Sequence, residues 1–464
     1  MPDIKSRPTL ERRLGPLDAT AIVISNVIGV GIFTTPGIVA QMLPHPWAIL
    51  SVWIAGGLLA FAGAMAYAEL AALRPHAGGE YVYLRESFGP LAAFLTGWTS
   101  FVAGFSGAIA AGAVGAAAYL GRFIPAAGDV RPLLSVPLGL VTLSVSRRSI
   151  VALAVIAGLT LIHLRGLGPG RLLQNTLAGV KVAALAIFVA LGFAIGGGAA
   201  AHFHAAKAVS AGSWLLALIP VMFSYSGWNA AAYVAEEVRD PGRNVPRALA
   251  LGTLVVVTIY IALNALYLYA LPIDRFAGSI GVGETVAAQL LGPAAASAIG
   301  LLALVIILGS LSAMVLAGPR VYFAMARDGL FFHRAARVHA GYRTPVAAIV
   351  AQALWSGLLV LSGTFEQLLT YTGFAVVLFA GVAVCALFVL RRRCPDEPRP
   401  FRAWGYPLAP GLFAVASLAI VLNAMRESPW PSAAGLAVIA AGIPLYWLLR
   451  RTPPAVAPSG APRV

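Results

Sequence analysis

ISNVIGVGIFTTPG, residues Ile24 to Gly37, lies inside an otherwise apolar run and carries Gly29, Gly31, Pro36 and Gly37. Glycine weakens a helix, and proline removes one of its hydrogen bonds. In lipid, a loosened backbone leaves N–H and C=O groups without water, so it survives only where it is buried in protein or lines a cavity. The stretch therefore reads as a spanning helix interrupted at mid-membrane. The interruption either holds a ligand or lets helices pack closely through small residues.

The chain around it has 464 residues, 59% hydrophobic and 11% charged, a balance suited to one polytopic membrane domain. The formal charge of +15 does not point to nucleic acid, because the arginines fall in short clusters between apolar runs without interleaved aromatics. Cys385 and Cys394 imply no disulfide framework or metal site. His202 and His204 fall in a polar connection and read as exposed, two histidines lacking a third ligand. No cofactor is implied. The polar, basic N-terminus has no short apolar core with a cleavage site, so the first apolar segment is expected to stay as a span.

About twelve runs are long and apolar enough to span: 17–41, 47–71, 88–121, 149–165, 172–197, 213–236, 247–271, 293–326, 344–363, 367–390, 403–425 and 431–449. The run 133–145 is too short and reads as part of an external loop. With the N-terminus inside, the inner segments hold most of the basic residues, from Arg12 and Arg13 through Arg391, Arg392 and Arg393 to Arg450 and Arg451. The outer loops hold only Arg122, Arg131, Arg147, Arg148, Lys207, Arg275 and Arg426. This asymmetry predicts a multi-pass cell-membrane protein with both termini cytoplasmic.

The sixth run, LIPVMFSYSGWNAAAYVAEEVRDPGRNVPRAL, repeats the oddity of the first: Pro220 and Ser224–Gly227 weaken it at mid-membrane. Helices 1 and 6 each open a block of five. Interrupted helices at corresponding positions predict an all-α fold with an inverted five-plus-five repeat, its half-helix ends presented to a small ligand. The expected division is a cytoplasmic segment 1–16, repeats 17–197 and 213–390, two further helices in 403–449 and a tail 450–464. Free N–H groups near Gly29–Gly31 suit a carboxylate, and free carbonyls of Val27, Phe223, Ser224 and Ser226 suit an ammonium group. Both together recognise the zwitterionic backbone of an amino acid.

NVIGVGIFTTPG resembles the helix 1 glycine motif of the amino acid–polyamine–organocation superfamily, and FSYSGWNAAAYVAEEVRDPGRNVPRAL the helix 6 signature of its L-type amino acid transporter branch, including bacterial members. YAELAALRPHAGGEYVYLRESFG, PRVYFAMARDGLFF with TPV, and RPFRAWGYPLAP are similar to three further motifs in family order. The resemblance runs from Leu14 to about Arg450 and implies rocking between outward- and inward-open states. It implies a substrate-binding set of Val27, Ile28, Gly29, Val30, Gly31, Phe223, Ser224, Ser226 and Gly227, with Phe223 as an aromatic gate. Two positions depart from the pattern. Val30 replaces a common serine or threonine, and Ser226 replaces a frequent glycine or aspartate.

Lys181 is the only basic residue well inside a span, where a charge costs at least ~3 kcal/mol. The resemblance places it at the sodium position of sodium-coupled relatives, beside the helix 1 break, either carrying a proton or tethering helix 1. Gly318 and Pro319, loosely aligned, stand where those relatives use hydroxyl ligands, which disfavours sodium. No Asp or Glu is expected at mid-membrane: Glu69, Glu236 and Glu237 stand at cytoplasmic ends, and Glu284 and Glu366 near outer loops. Neutral amino acids are therefore favoured over arginine, lysine or polyamines. Glu236, Glu237, Arg239, Asp240 and Arg243 read as a solvated helix end or, following the family motif, a gate. Trp228 reads as packing.

The function this supports is secondary active amino acid transport, by exchange or proton symport. A sensor of the same fold, or a carrier of cationic amino acids or polyamines, is the alternative. No HExxH, paired acids or P-loop stands in the spans, which argues against an intramembrane enzyme or an ATP-driven pump, and a channel usually needs a repeated pore lining. The resemblance also implies a heavy-chain partner in eukaryotic relatives, attached through a cysteine after helix 3. This chain has none there, so no such partner is expected.

Overall fold

The computed structural model describes residues 9–450 except 30, 140, 205–207 and 280. Val30, the extreme N-terminal residues and most of the expected tail therefore lie outside the described residues. The chain runs α1 (Pro16–Val27), α2 (Gly31–Met42), α3 (Pro46–Leu73), α4 (Glu80–Phe88) and α5 (Pro90–Thr99), which passes through a π turn at Ser100–Gly104 into α6 (Phe105–Leu120). A hairpin of β1 (Pro132–Leu138) and β2 (Val141–Ser146) follows, then α7 (Arg147–Leu164) and α8 (Leu167–Ala194). The second half comprises α9 (Ala211–Ser224), the short α10 (Ala230–Tyr233), α11 (Pro241–Ala270), α12 (Ile273–Phe276), α13 (Val282–Leu291), α14 (Pro293–Arg327), α15 (Val346–Ser362) and α16 (Phe365–Arg393). It closes with α17 (Leu408–Glu427), α18 (Pro429–Ala440) and α19 (Gly442–Arg450).

Among the described residues nine helices are long and apolar enough to cross a membrane, counting α18 and α19 as one. The bent pair α1 and α2 supplies a tenth crossing, and α9 and α15 are shorter apolar helices. Each predicted run thus corresponds to helix. The run 133–145 forms the two-stranded antiparallel hairpin, whose first strand is exposed and second half-buried, which fits a connection rather than a span.

Packing divides the bundle into two bodies. The larger apolar core joins α1, α3, α9, α10 and α11 with their neighbours, and a smaller, separate core holds α6, α7, α15 and the middle of α14 together. Lipid supplies no hydrophobic drive between helices, so close approach through small residues has to do this work. At Gly56 of α3 an added Cβ would overlap Val221 of α9, and at Gly63 it would come within 2.8 Å of the Trp228 and Phe413 rings. Trp228 is buried and meets Tyr67 edge to face at 4.9 Å, as a packing residue would.

The end of the bundle that carries the N-terminal segment is sealed. Leu14 pairs with Val238 as a parallel bridge, its N–H donating to the Glu237 carbonyl and its carbonyl accepting from Arg239. Glu237 is no solvated helix end. It is fully buried and takes two bonds, 2.7 and 2.9 Å, from an equally buried Arg320 of α14. Glu236 meets Arg327 at 2.9 Å and accepts from the Ala77 N–H. Both carboxylates therefore tie the sixth segment to its neighbours. Glu69 is buried as well, facing Arg391 and Arg399.

Candidate functional site

The first helix stops where its glycines begin. α1 ends at Val27, Ile28 is extended (φ −72°, ψ 92°), and α2 restarts at Gly31 with a 43° bend. The sixth segment breaks a little later than its proline suggests, since α9 runs through Pro220 to Ser224 and only then turns. Gly227 sits at φ +102°, and a Cβ there would lie 2.9 Å from the Asn26 carbonyl oxygen. Gly31 is crowded from the other side, its notional Cβ falling 3.0 Å from Ser224 Oγ. The two breaks cross in contact because glycine occupies each crossing point.

A cavity of about 370 Å³ opens at this crossing, large enough for a small organic ligand. Of the predicted residues, Val27, Gly29, Gly31, Phe223, Ser224, Ser226 and Gly227 line it. Ile28 does not, being fully buried with its carbonyl turned to Lys181, and Val30 lies outside the described residues. Phe223 is 56% exposed, so it lines the cavity without covering it.

The carbonyls at the breaks are less free than the sequence implies. Tyr260 of α11 reaches both, its hydroxyl lying 3.0 Å from the Val27 carbonyl and 3.3 Å from that of Ser224. The Phe223 carbonyl accepts from the Ser226 N–H, and that of Ser226 carries no such bond among the described residues. Each carbonyl has a second lone pair, so all keep some capacity for an ammonium group. Tyr260 pins the two broken ends to one another.

Lys181 stands behind the first break and outside the cavity lining. Its Nζ lies 3.0 Å from the Ile28 carbonyl, 3.3 Å from that of Ile306 and 3.4 Å from that of Ser25. Three acceptors match the three donors of an ammonium group. The residue of α14 nearest the break is Ser310, whose Oγ would lie 3.6 Å from a Cβ on Gly29. Gly318 is more than two turns further along, against Gln352 and Phe105. The loose alignment of Gly318 and Pro319 with the break is thus corrected by the helix register.

A second correction concerns the acids. Glu80, the first residue of α4, lines the cavity and is 7% exposed, although it belongs to a connection between spans. Asn26, Thr96, Ser100, Asn229 and Tyr233 share the lining, and the Oδ1 of Asn26 and Oγ1 of Thr96 are buried without a partner. The π turn Ser100–Gly104 borders the cavity too, and such turns often mark functional sites. The wall formed by α6 and α14 is small and mostly apolar, with Ala108, Gly112, Gly115, Ile307, Leu311 and Met314 beside the hydroxyl of Ser310. His202 is also less exposed than expected, its Nδ1 lying 3.0 Å from the Tyr269 carbonyl. Among the described residues no three acids, histidines or cysteines converge on a metal position.

Known proteins share this plan. The sequence profile of the family described as amino acid permease matches residues 14–448. The serine/threonine exchanger SteT of Bacillus subtilis (strain 168) is 28% identical over 95% of this chain and 98% of its own length. The large neutral amino acids transporter small subunit 2 of Mus musculus is 28% identical over 95% of this chain and 81% of its own. At the same identity, the cystine/glutamate transporter of Homo sapiens covers 96% of this chain and 87% of its own. A profile match from Leu14 to Leu448 takes in every spanning helix and both breaks, so the chain belongs to the amino acid permease family and is a multi-pass membrane permease, not an enzyme.

Proposed function

We propose that the chain is a secondary active transporter that carries neutral L-amino acids across the cytoplasmic membrane by alternating access, as an exchanger or a proton symporter, with both termini cytoplasmic and no heavy-chain partner. The observation that carries this reading is the crossing of two broken helices at a cavity lined by Gly31, the first residue of α2, where a helix start leaves N–H groups without an acceptor in the helix, and by residues that carry carbonyls at both breaks. A zwitterion needs both kinds of group. The apolar wall of α6 and α14 supports a neutral side chain. So do relatives named for serine, threonine and large neutral amino acids, and SteT is named as an exchanger. With the N-terminal end sealed and Phe223 uncovered, the reading makes this an outward-facing state. The substrate would enter under Phe223, which would then fold over it.

Glu80 is the one observation that favours a cationic substrate, and a single assay weighs the two. The protein is placed in liposomes preloaded with unlabelled amino acid, and counterflow of labelled leucine, serine, lysine, arginine and glutamate is measured. Saturable counterflow of leucine or serine, with lysine and arginine inert, is expected. Binding without flux would replace the transporter with a sensor.

Lys181→Met tests the tether. It leaves the carbonyls of Ile28, Ile306 and Ser25 without their shared donor, each buried orphan costing about 1–3 kcal/mol. Counterflow is expected to fall by more than about tenfold as the end of α1 loosens. Unchanged counterflow in folded Lys181→Met would remove Lys181 from the working site.

A further inference from the structure

We propose that Glu80 binds the proton that moves with the substrate, an inference that rests on the transport reading above. Its position is built by two glycines. Gly78 (φ +110°) and Gly79 (φ +53°) fold the connection back beneath the bundle, where a Cβ on Gly79 would lie 2.7 Å from the Tyr233 ring and one on Gly78 2.7 Å from Ala324. Only glycine takes such a turn at such contact distances. The carboxylate that follows is thereby held in the cavity wall.

Its partners lead directly to the break in the sixth segment. Tyr67 of α3 donates to Glu80 Oε2 at 2.8 Å, and the ring of Tyr67 packs edge to face on Trp228. Tyr233 of α10 also hydrogen-bonds Glu80, and its hydroxyl accepts from the Asn229 side chain at 3.1 Å. Trp228 and Asn229 immediately follow Gly227. Two separate routes thus join the charge on Glu80 to the helix break that contacts the substrate. Adding a proton replaces a carboxylate that accepts from two tyrosines by an acid that must itself donate, so both routes sense the change.

Among the described residues no cation balances this carboxylate. The titratable groups that face it are Tyr67 on α3, Tyr233 on α10 and Tyr83 on its own helix. Further along α4, Arg85 pairs with Asp328 beyond α14, and Glu86 with Arg74 beyond α3. Arg393 of α16 ends on the backbone carbonyls of Glu86 and Ser87, while α5 presents no titratable side chain. Burial pushes the Glu80 carboxyl above the usual carboxylate range, against the pull of the two tyrosine hydrogen bonds. At 7% exposure and capped by tyrosine, it offers a bulky ammonium or guanidinium little surface, whereas a proton needs none. In the step itself an O–H bond of a hydronium ion in the cavity breaks, its proton forms the O–H bond at the carboxylate, and water is left behind. The same bond breaks when the cavity faces the other side, and no electrons are exchanged.

The test uses the full-length protein in liposomes with the membrane potential clamped, a labelled neutral amino acid, an external pH one unit below the internal and a trapped pH dye. Wild type is expected to accumulate substrate up to about tenfold, the limit for one proton per substrate, and to acidify the lumen only when substrate is added. Glu80→Gln, with one charge state, is expected to lose both signals and to show counterflow that no longer varies with pH. Glu80→Asp is expected to keep proton entry with a displaced pH profile. Wild-type counterflow without substrate-linked proton entry overturns the proposal even if no variant folds. Proton entry that persists in Glu80→Gln overturns it too, as does a Glu80→Gln defect confined to lysine and arginine. Wild type with no counterflow of any amino acid would instead sink the transport reading itself.

Discussion

Gly227→Ala is expected to lower uptake by about a hundredfold, the effect of misplacing reacting or binding groups by roughly an ångström. Two independent features converge on this residue. Its φ of +102° is a conformation that side chains other than hydrogen rarely tolerate, and the new methyl group would sit 2.9 Å from the Asn26 carbonyl oxygen and 3.0 Å from its carbon. The obstruction is backbone, so no rotamer relieves it. The sixth segment would have to withdraw from the first, separating Ser224 and Ser226 from Gly29 and Gly31 and pulling the Ser224 carbonyl off Tyr260. Gly158→Ala is the matched control. It lies inside α7 with nothing within 4 Å of the added carbon, and alanine is the better helix former there. Counterflow in liposomes and thermal stability of both variants give the measurement. Wild-type flux in Gly227→Ala would mean that the two breaks do not need to touch.

The same crossing shows what the sequence made legible. The glycines of the first apolar run, and Pro220 with Ser224–Gly227 in the sixth, located the two breaks, because little else in a lipid-facing helix explains a loosened backbone. Runs of apolar residues located every span for the same reason. The partners of the breaks were hidden. Tyr260 looks like any aromatic on an apolar helix, and only the packing of α11 across α1 turns its hydroxyl onto the Val27 and Ser224 carbonyls. Ser310 was missed because rotational register along the 35 residues of α14 cannot be read from composition, and the more conspicuous Gly318 and Pro319 drew the alignment past it.

Glu80 was missed for a different reason. An acid in a connection between spans reads as solvated, and its burial depends on the fold of Gly78 and Gly79 bringing it under Tyr233. The signal was nonetheless present, since paired glycines immediately before a carboxylate mark a backbone turn that few other residues can make. The neutral-substrate expectation rested on an absence of acids that the cavity does not bear out. Its support now comes from the apolar wall of α6 and α14.

Arg320 and Glu237 carry the other large effect. Each side chain is fully buried, and they share two hydrogen bonds, so removing either partner leaves an uncompensated charge. Arg320→Met and Glu237→Gln are each expected to destabilise the protein by about 3–5 kcal/mol, whereas a double replacement by apolar residues is expected to recover most of that loss. The pair also ties the end of the sixth segment to the last third of α14, where Leu316, Ala317, Val321 and Tyr322 belong to the same larger core. If alternating access parts the sixth segment from α14 at the sealed end, this contact must break once per cycle. The double variant Arg320→Met/Glu237→Met should then populate the opposite opening. A cysteine at Thr96, buried in the cavity wall, reports it on a background lacking Cys385 and Cys394. Labelling by a membrane-impermeant thiol reagent applied from the N-terminal side is expected to be slow in the parent and several-fold faster in the double variant, by the population-shift arithmetic for a contact worth about 1 kcal/mol to the closed state. A stable double variant with unchanged labelling would make the ion pair a packing feature of the sealed end and leave the gate to the Leu14–Val238 bridge.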